Sequence, residues 1–86
     1  MLNLRNSIVI EATEDPEFFT FYSPSLLGFT GVGHSVEDCL YRARLGMLDH
    51  VRVLKSLRMK VPPSDRDASV LIQNQQNGRR RNRVAA

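Results

Sequence analysis

The sequence predicts an α+β domain of element order β-β-β-α-β. Three observations carry this. Two short runs rich in β-branched and aromatic residues flank a turn near the start. A long middle segment repeats its apolar residues at intervals of three and four. A final β-branched run follows a double proline.

Ser7-Ile8-Val9-Ile10-Glu11-Ala12-Thr13 reads as the first strand, and Glu14-Asp15-Pro16-Glu17 as the turn after it. Phe18-Phe19-Thr20-Phe21-Tyr22-Ser23 is the second strand, closed by Pro24, which has no N–H for a ladder. So short a link makes the two strands an antiparallel hairpin. A third strand at Phe29-Thr30-Gly31-Val32 completes an antiparallel three-stranded meander. Ser35 is placed to cap a helix, with Glu37 and Asp38 suited to its positive end. Val36, Leu40, Ala43, Met47, Val51 and Leu54 form one stripe and give the expected core face. The helix is expected to run to Arg58 or Met59, ahead of Val61-Pro62-Pro63. Gly46 interrupts it at a cost of about 1 kcal/mol relative to alanine, which suggests a close approach there. Ala68-Ser69-Val70-Leu71-Ile72-Gln73 is the fourth strand. One long helix between strands of a sheet is a crossover, so the fourth strand should lie parallel to the first.

Eighty-six residues make one small domain. The reading is of a folded unit over residues 1–74 and a basic, solvated, disordered tail over 75–86. The formal charge of +3 comes from that tail. Without Arg79, Arg80, Arg81 and Arg83, eight basic residues face nine acidic ones. The arginines read either as a solubilising terminus or as a weak nucleic-acid arm. No run of about 18 apolar residues exists for a membrane span, and the start lacks the apolar stretch of a secretory signal, so a cytoplasmic location without a membrane partner is expected. Cys39 is the only cysteine, which excludes an internal disulfide and a thiolate metal cluster.

The helix has a second apolar face. Tyr41, Leu45, Leu48 and Met59 fall opposite the core stripe, where a surface helix is normally polar. A helix of some 23 residues spans about 35 Å, whereas a six-residue strand spans about 20 Å, so the helix should overhang its sheet. Both features mark an oligomer or partner surface, with a dimer or tetramer expected. Glu11, Glu14, Asp15 and Glu17 suggest an acidic edge for a basic partner.

Catalytic candidates are sparse. His34 reads as a turn residue and His50 as a boundary histidine near the core stripe. Gly31-Val32-Gly33-His34-Ser35 lacks the Lys-Ser/Thr of a phosphate loop and the third glycine of a dinucleotide loop, so its glycines read as turn formers. A two-metal nuclease around Glu11 and Glu37 lacks acids on the fourth strand. The expectation is a protein without enzymatic activity, cofactor or metal.

Phe21-Tyr22-Ser23-Pro24-Ser25-Leu26-Leu27-Gly28, then Gly31 to Leu40 as Gly-Val-Gly-His-Ser-Val-Glu-Asp-Cys-Leu, then Val61-Pro62-Pro63-Ser64, together resemble the HicB antitoxin family. The family pattern is an aromatic strand, a Pro-x-Leu-x-Gly loop, a Gly-x-(Thr/Ser)-x-x-(Glu/Asp)-Ala-like helix start and an Ile-Pro-x-Pro-like segment, matched over about residues 7–73. The resemblance implies a partial, degenerate ribonuclease-H-like fold without catalytic residues. It also implies self-association and neutralisation of a HicA-type toxin, a small basic mRNA-cleaving ribonuclease. The chain departs from the pattern with Cys39 where alanine is frequent and Ser25 where an acid is frequent. The residues after the fourth strand are too few for the family's C-terminal DNA-binding domain, which leaves an orphan HicB-like role as a variant of this reading. The competing expectation is a nucleic-acid-binding accessory protein acting through Arg79, Arg80, Arg81 and Arg83.

Overall fold

The computed structural model describes residues 4–74. Strands β1 (Ile8–Ala12), β2 (Phe19–Tyr22) and β3 (Thr30–Gly33), helix α1 (Val36–Ser56) and strand β4 (Val70–Asn74) follow in the predicted order. They build one sheet of order β3-β2-β1-β4. β2 is antiparallel to both β1 and β3, and β4 is parallel to β1. The meander, the crossover helix and the parallel fourth strand are all present. The expected tail, 75–86, lies outside the described residues.

Side-chain alternation divides the sheet into two faces, and cross-strand partners share a face. Ile10 pairs with Phe21 and Ile72, and Phe21 pairs with Gly31. On this face Ile8, Ile10 and Phe21 meet Cys39, Ala43 and Met47 of α1, with Leu26 and Phe29 closing the core from the β2–β3 loop. A Cβ on Gly31 would strike the Phe21 ring, so glycine there makes room for the aromatic side chain. Phe29 was expected inside β3. Its N–H instead bonds the Leu26 carbonyl at 3.1 Å, which starts the strand one residue later while the ring stays buried.

Ser35 caps α1 as the sequence suggests, its Oγ accepting the Asp38 N–H at 2.9 Å. The Asp38 carboxylate accepts the His34 N–H and the Arg42 Nε–H, each at 2.9 Å. The His34 hydrogen bond first, and Arg42 second, hold the Asp38 carboxyl below its ordinary pKa.

The core stripe differs from the expected one. Ala43 and Met47 are buried, and Val36, Leu40 and Leu54 pack partly against the core. Val51 is only half-buried, whereas Cys39, outside the expected stripe, is fully buried. The helix seats on the Cys39 side because Gly33 lets it come close: a Cβ on Gly33 would lie 2.8 Å from the Cys39 sulfur. The close approach expected at Gly46 is also there. A Cβ at that position would sit 3.1 Å from the Phe29 ring.

The helix stops earlier than expected, at Ser56, with Leu57 as C-cap. Arg58 takes the left-handed conformation, φ 59°. Its N–H bonds the Lys55 carbonyl at 3.0 Å and the Met59 N–H bonds the Leu54 carbonyl at 2.9 Å. These two bonds define a Schellman stop, with arginine in the place where glycine is usual. Met59 therefore does not continue the helical stripe.

A polar clamp holds the ends of these elements together. Arg5 donates to the Pro62 carbonyl at 2.6 Å and to Asn6 Oδ1 at 2.7 Å. The fully buried Asn6 donates to the Pro63 carbonyl at 3.1 Å and to Ser25 Oγ at 3.2 Å. Asp65 Oδ2 accepts from Ser25 Oγ at 2.6 Å and from the Ser7 N–H at 2.7 Å. Ser23 Oγ donates to the Ser7 carbonyl at 2.7 Å. The segment before β1, the loop after β2 and the chain after α1 thus share one set of hydrogen bonds. The Ser25 hydroxyl first, then Ser7, hold the Asp65 carboxyl below its ordinary pKa.

Arg58→Gly should relieve the left-handed arginine and raise stability by about 1 kcal/mol, read as a higher urea midpoint with unchanged slope. Asp38 and Asp65 both ionise at lower pH in the folded chain than in the unfolded one. Their stabilisation is complete above the unfolded value, ordinarily 3.8, and disappears as pH falls through the folded values below it. The urea midpoint should fall on acidification below about pH 4, and Asp65→Asn should flatten that dependence while lowering the midpoint at neutral pH.

Candidate protein-docking surface

The buried residues of α1, Cys39, Ala43 and Met47, all lie in its first twelve positions. Beyond Met47 no helical residue is fully buried, although His50 packs on Phe29 and Leu54 still packs partly against the core. A straight 21-residue helix is about 31 Å long, and strands of four or five residues are about 13–17 Å.

Of the expected docking residues, Tyr41, Leu45 and Leu48 lie together on the outer flank of α1, about 140–200° around the axis from Ala43 at 100° per residue. Their exposures are 57%, 44% and 58%. Arg44 extends over the Tyr41 ring, its guanidinium carbon 5.9 Å from the centroid, and adds a cationic rim. Met59 is exposed too, but lies past the Schellman stop and is separate from this group. Leu71 and Ile72 on β4, read from the sequence only as part of the fourth strand, are both exposed. For Ile72, which shares the helix face with Ile10, the signal is the crossover itself: the single helix makes its main contacts with β1, β2 and β3, and on β4 Val70 packs against the core.

The four acids of the expected edge are placed as follows. Glu11 sits on β1, an interior strand between β2 and β4, where it accepts from Gln73 Nε2 at 2.8 Å. Glu14, Asp15 and Glu17 occupy the exposed β1–β2 loop. There Asp15 Oδ1 accepts the Glu17 N–H at 2.9 Å, and the Phe18 N–H closes a turn on the Asp15 carbonyl at 3.1 Å. Alternation along β1 places Glu11 on the sheet face opposite Ile10 and therefore opposite α1. The same alternation puts the sheet between Glu11 and Glu37, so these two carboxylates do not converge. Among the described residues no group of three or more His, Cys, Asp or Glu side chains could hold a metal ion. Arg79, Arg80, Arg81 and Arg83 lie outside the described residues.

Both histidines are engaged in packing loops. His34 Nδ1 donates to the Glu17 carbonyl at 3.2 Å, and its ring lies 5.1 Å from that of Phe18. His50 Nε2 donates to the Leu27 carbonyl at 3.0 Å and packs edge-on against Phe29 at 5.7 Å. Gly28, at φ 82°, turns the loop under His50, where a Cβ would touch the imidazole at 3.6 Å. An open cleft of about 330 Å³ lies beside this contact, lined by Gly28, Phe29, Thr30, Gly46, Asp49, His50 and Val53. Its histidine is tied to a carbonyl, and Asp49 pairs with Arg52 at 3.0 Å. Burial raises the pKa of the Cys39 thiol and keeps it neutral.

No helix among the described residues is long and apolar enough to cross a membrane. Comparisons of the chain with protein-family models, with curated proteins and with solved structures found no match.

Because Leu45 and Leu48 do little for the fold, the double replacement Leu45→Ser, Leu48→Ser should leave stability within about 0.5 kcal/mol while reducing binding of a hydrophobic dye. His50→Ala removes a hydrogen bond and an aromatic contact, and should cost about 1–2 kcal/mol in chemical denaturation.

Proposed function

We propose that this chain is a non-enzymatic, HicB-like antitoxin of the cytoplasm, which self-associates and neutralises a small, basic, HicA-type ribonuclease by covering it. The observation that carries the reading is the outer flank of α1, where Tyr41, Leu45 and Leu48 form an apolar group away from the core. An exposed group of this kind on one helix face suits protein docking, with large side chains as anchors. The exposed acids Glu14, Asp15 and Glu17 add attraction for a basic partner, mainly by speeding encounter. The motif order read in the sequence supplies the toxin class.

Nucleic-acid binding through Arg79, Arg80, Arg81 and Arg83 is the second reading, favoured by the clustering of four arginines within five positions. It predicts affinity that falls steeply with salt.

The test is coexpression with a small basic ribonuclease encoded beside this chain. Growth should be restored and messenger RNA left intact, and Leu45→Glu with Leu48→Glu should abolish protection without unfolding the protein. Continued RNA cleavage in the presence of the wild-type chain, or the lack of any such neighbouring reading frame, contradicts the proposal.

A further inference from the structure

We infer that the outer flank of α1 is a self-complementary seam, on which a second copy of this chain lays its own α1 antiparallel about a two-fold axis between positions 44 and 45. The inference rests on the self-association proposed above and gives it a place and an orientation. The ribonuclease then meets a pair of chains.

Glu37, Tyr41, Leu45, Leu48, Arg52 and Lys55 follow one another at intervals of four, four, three, four and three. At 100° per residue they lie about 120–200° around the axis from the buried Ala43, on the side turned away from the sheet. All six are exposed. Steps of three and four in alternation are the seam spacing of a helix that packs on another helix. The stripe therefore has an apolar centre, bounded by an acid at the helix start and by two bases at the helix end. The helix dipole favours acids first and bases last, but it does not place them on the stripe of the exposed apolar residues.

That order of charge selects the occupant. A basic partner meets Arg52 and Lys55 at one end of the stripe, and an acidic partner meets Glu37 at the other. What satisfies both ends is a surface with the reverse order, which this helix itself presents when turned end for end. Reversal sets Glu37 level with Arg52 of the second copy, Tyr41 level with Leu48, and Leu45 beside Leu45. The acid–base pair and the apolar pair share one centre, between positions 44 and 45. Lys55 of the second copy comes one turn from Arg52, on the same side as Glu37, and neither Glu37 nor Lys55 has an ion-pair partner among the described residues. A parallel pair instead sets Glu37 against Glu37 and Lys55 against Lys55.

The bordering charges follow the same geometry. On one side Asp38 is bonded to Arg42 and Asp49 to Arg52, and reversal brings Arg42 within about 3 Å along the axis of Asp49 of the second copy. On the other side Arg44 comes level with Arg44 of the second copy. This is the one meeting of like charges, and there each guanidinium lies over its own Tyr41 ring. Past the helix stop Arg58 and Lys60 add to the basic end, Arg66 and Asp67 offset one another, and Asp65 is held in the polar clamp.

The test uses the full chain and reverses the charge at each end of the stripe separately. Glu37→Lys in one variant, and Arg52→Glu with Lys55→Glu in another, set like charges together at both ends of an antiparallel pair. Each variant should keep the circular dichroism of the wild type and dimerise about tenfold more weakly in sedimentation equilibrium. An equimolar mixture of the two restores acid opposite base at both ends. It should recover the affinity of the wild type, as a mixed dimer in native mass spectrometry. Should the double replacement unfold, Lys55→Glu alone takes its place in the mixture. Variants that dimerise as tightly as the wild type, as in a parallel pair, overturn the inference, and so does a mixture no tighter than its components. In either case a dimeric wild type means that self-association stands and runs through another surface. A wild type that is monomeric up to about 100 μM removes self-association together with the inference. The ribonuclease takes no part in these measurements, so neutralisation is decided separately by coexpression.

Discussion

A single helix cannot cover a four-stranded sheet, and most of what distinguishes this molecule follows from that mismatch. The contact that holds the fold is the seam of Cys39, Ala43 and Met47 against Ile8, Ile10 and Phe21, closed by Leu26 and Phe29. Its fully buried residues come from α1 up to Met47 and from β1, β2 and the β2–β3 loop, with Leu54 and Val70 packed against them. Outside it, large apolar side chains are left about half exposed: Tyr41, Leu45 and Leu48 on the outer helix flank, and Leu71 and Ile72 on β4. A domain of this size buries only about 60–65% of its unfolded surface.

The seam depends on space as much as on apolar area. Gly33 admits the Cys39 turn of the helix, Gly46 admits the Phe29 ring and Gly31 admits the Phe21 ring. These glycines, two of them in the stretch that superficially looks like a phosphate loop, work as clearances between packed layers. The polar clamp around Asn6, Ser25 and Asp65 fastens the chain on the other side of the crossover, and it leaves no buried side-chain polar atom unsatisfied among the described residues. His50, a superficially catalytic residue, spends its Nε2 proton on the Leu27 carbonyl and fixes the loop that carries Phe29.

Features set by local periodicity and capping were legible in the sequence: the hairpin, the Ser35 cap, the crossover and the exposed helix flank. Features set by distant pairs were not. Asn6 meets Pro63, 57 positions away, and Ser7 meets Asp65, 58 positions away, and neither pair leaves a local pattern. The helix end was misplaced because the Schellman stop uses Arg58 in place of the glycine that would announce it. Cys39 was missed because the stripe was drawn through Leu40, whereas the clearance at Gly33 turns the helix toward its neighbour. The sheet face on which Glu11 lies follows from the register of β1 between β2 and β4, which its closeness to Glu14 in sequence does not give. The exposure of β4 depended on which strands the helix covers, a property of topology and not of the strand's own residues.

Sedimentation equilibrium of the full-length chain over a concentration series tests the central claim most directly. The account predicts a mass at least twice that of the monomer at micromolar concentration, falling toward the monomer on dilution. A monomer throughout the series, up to about 100 μM, would contradict it.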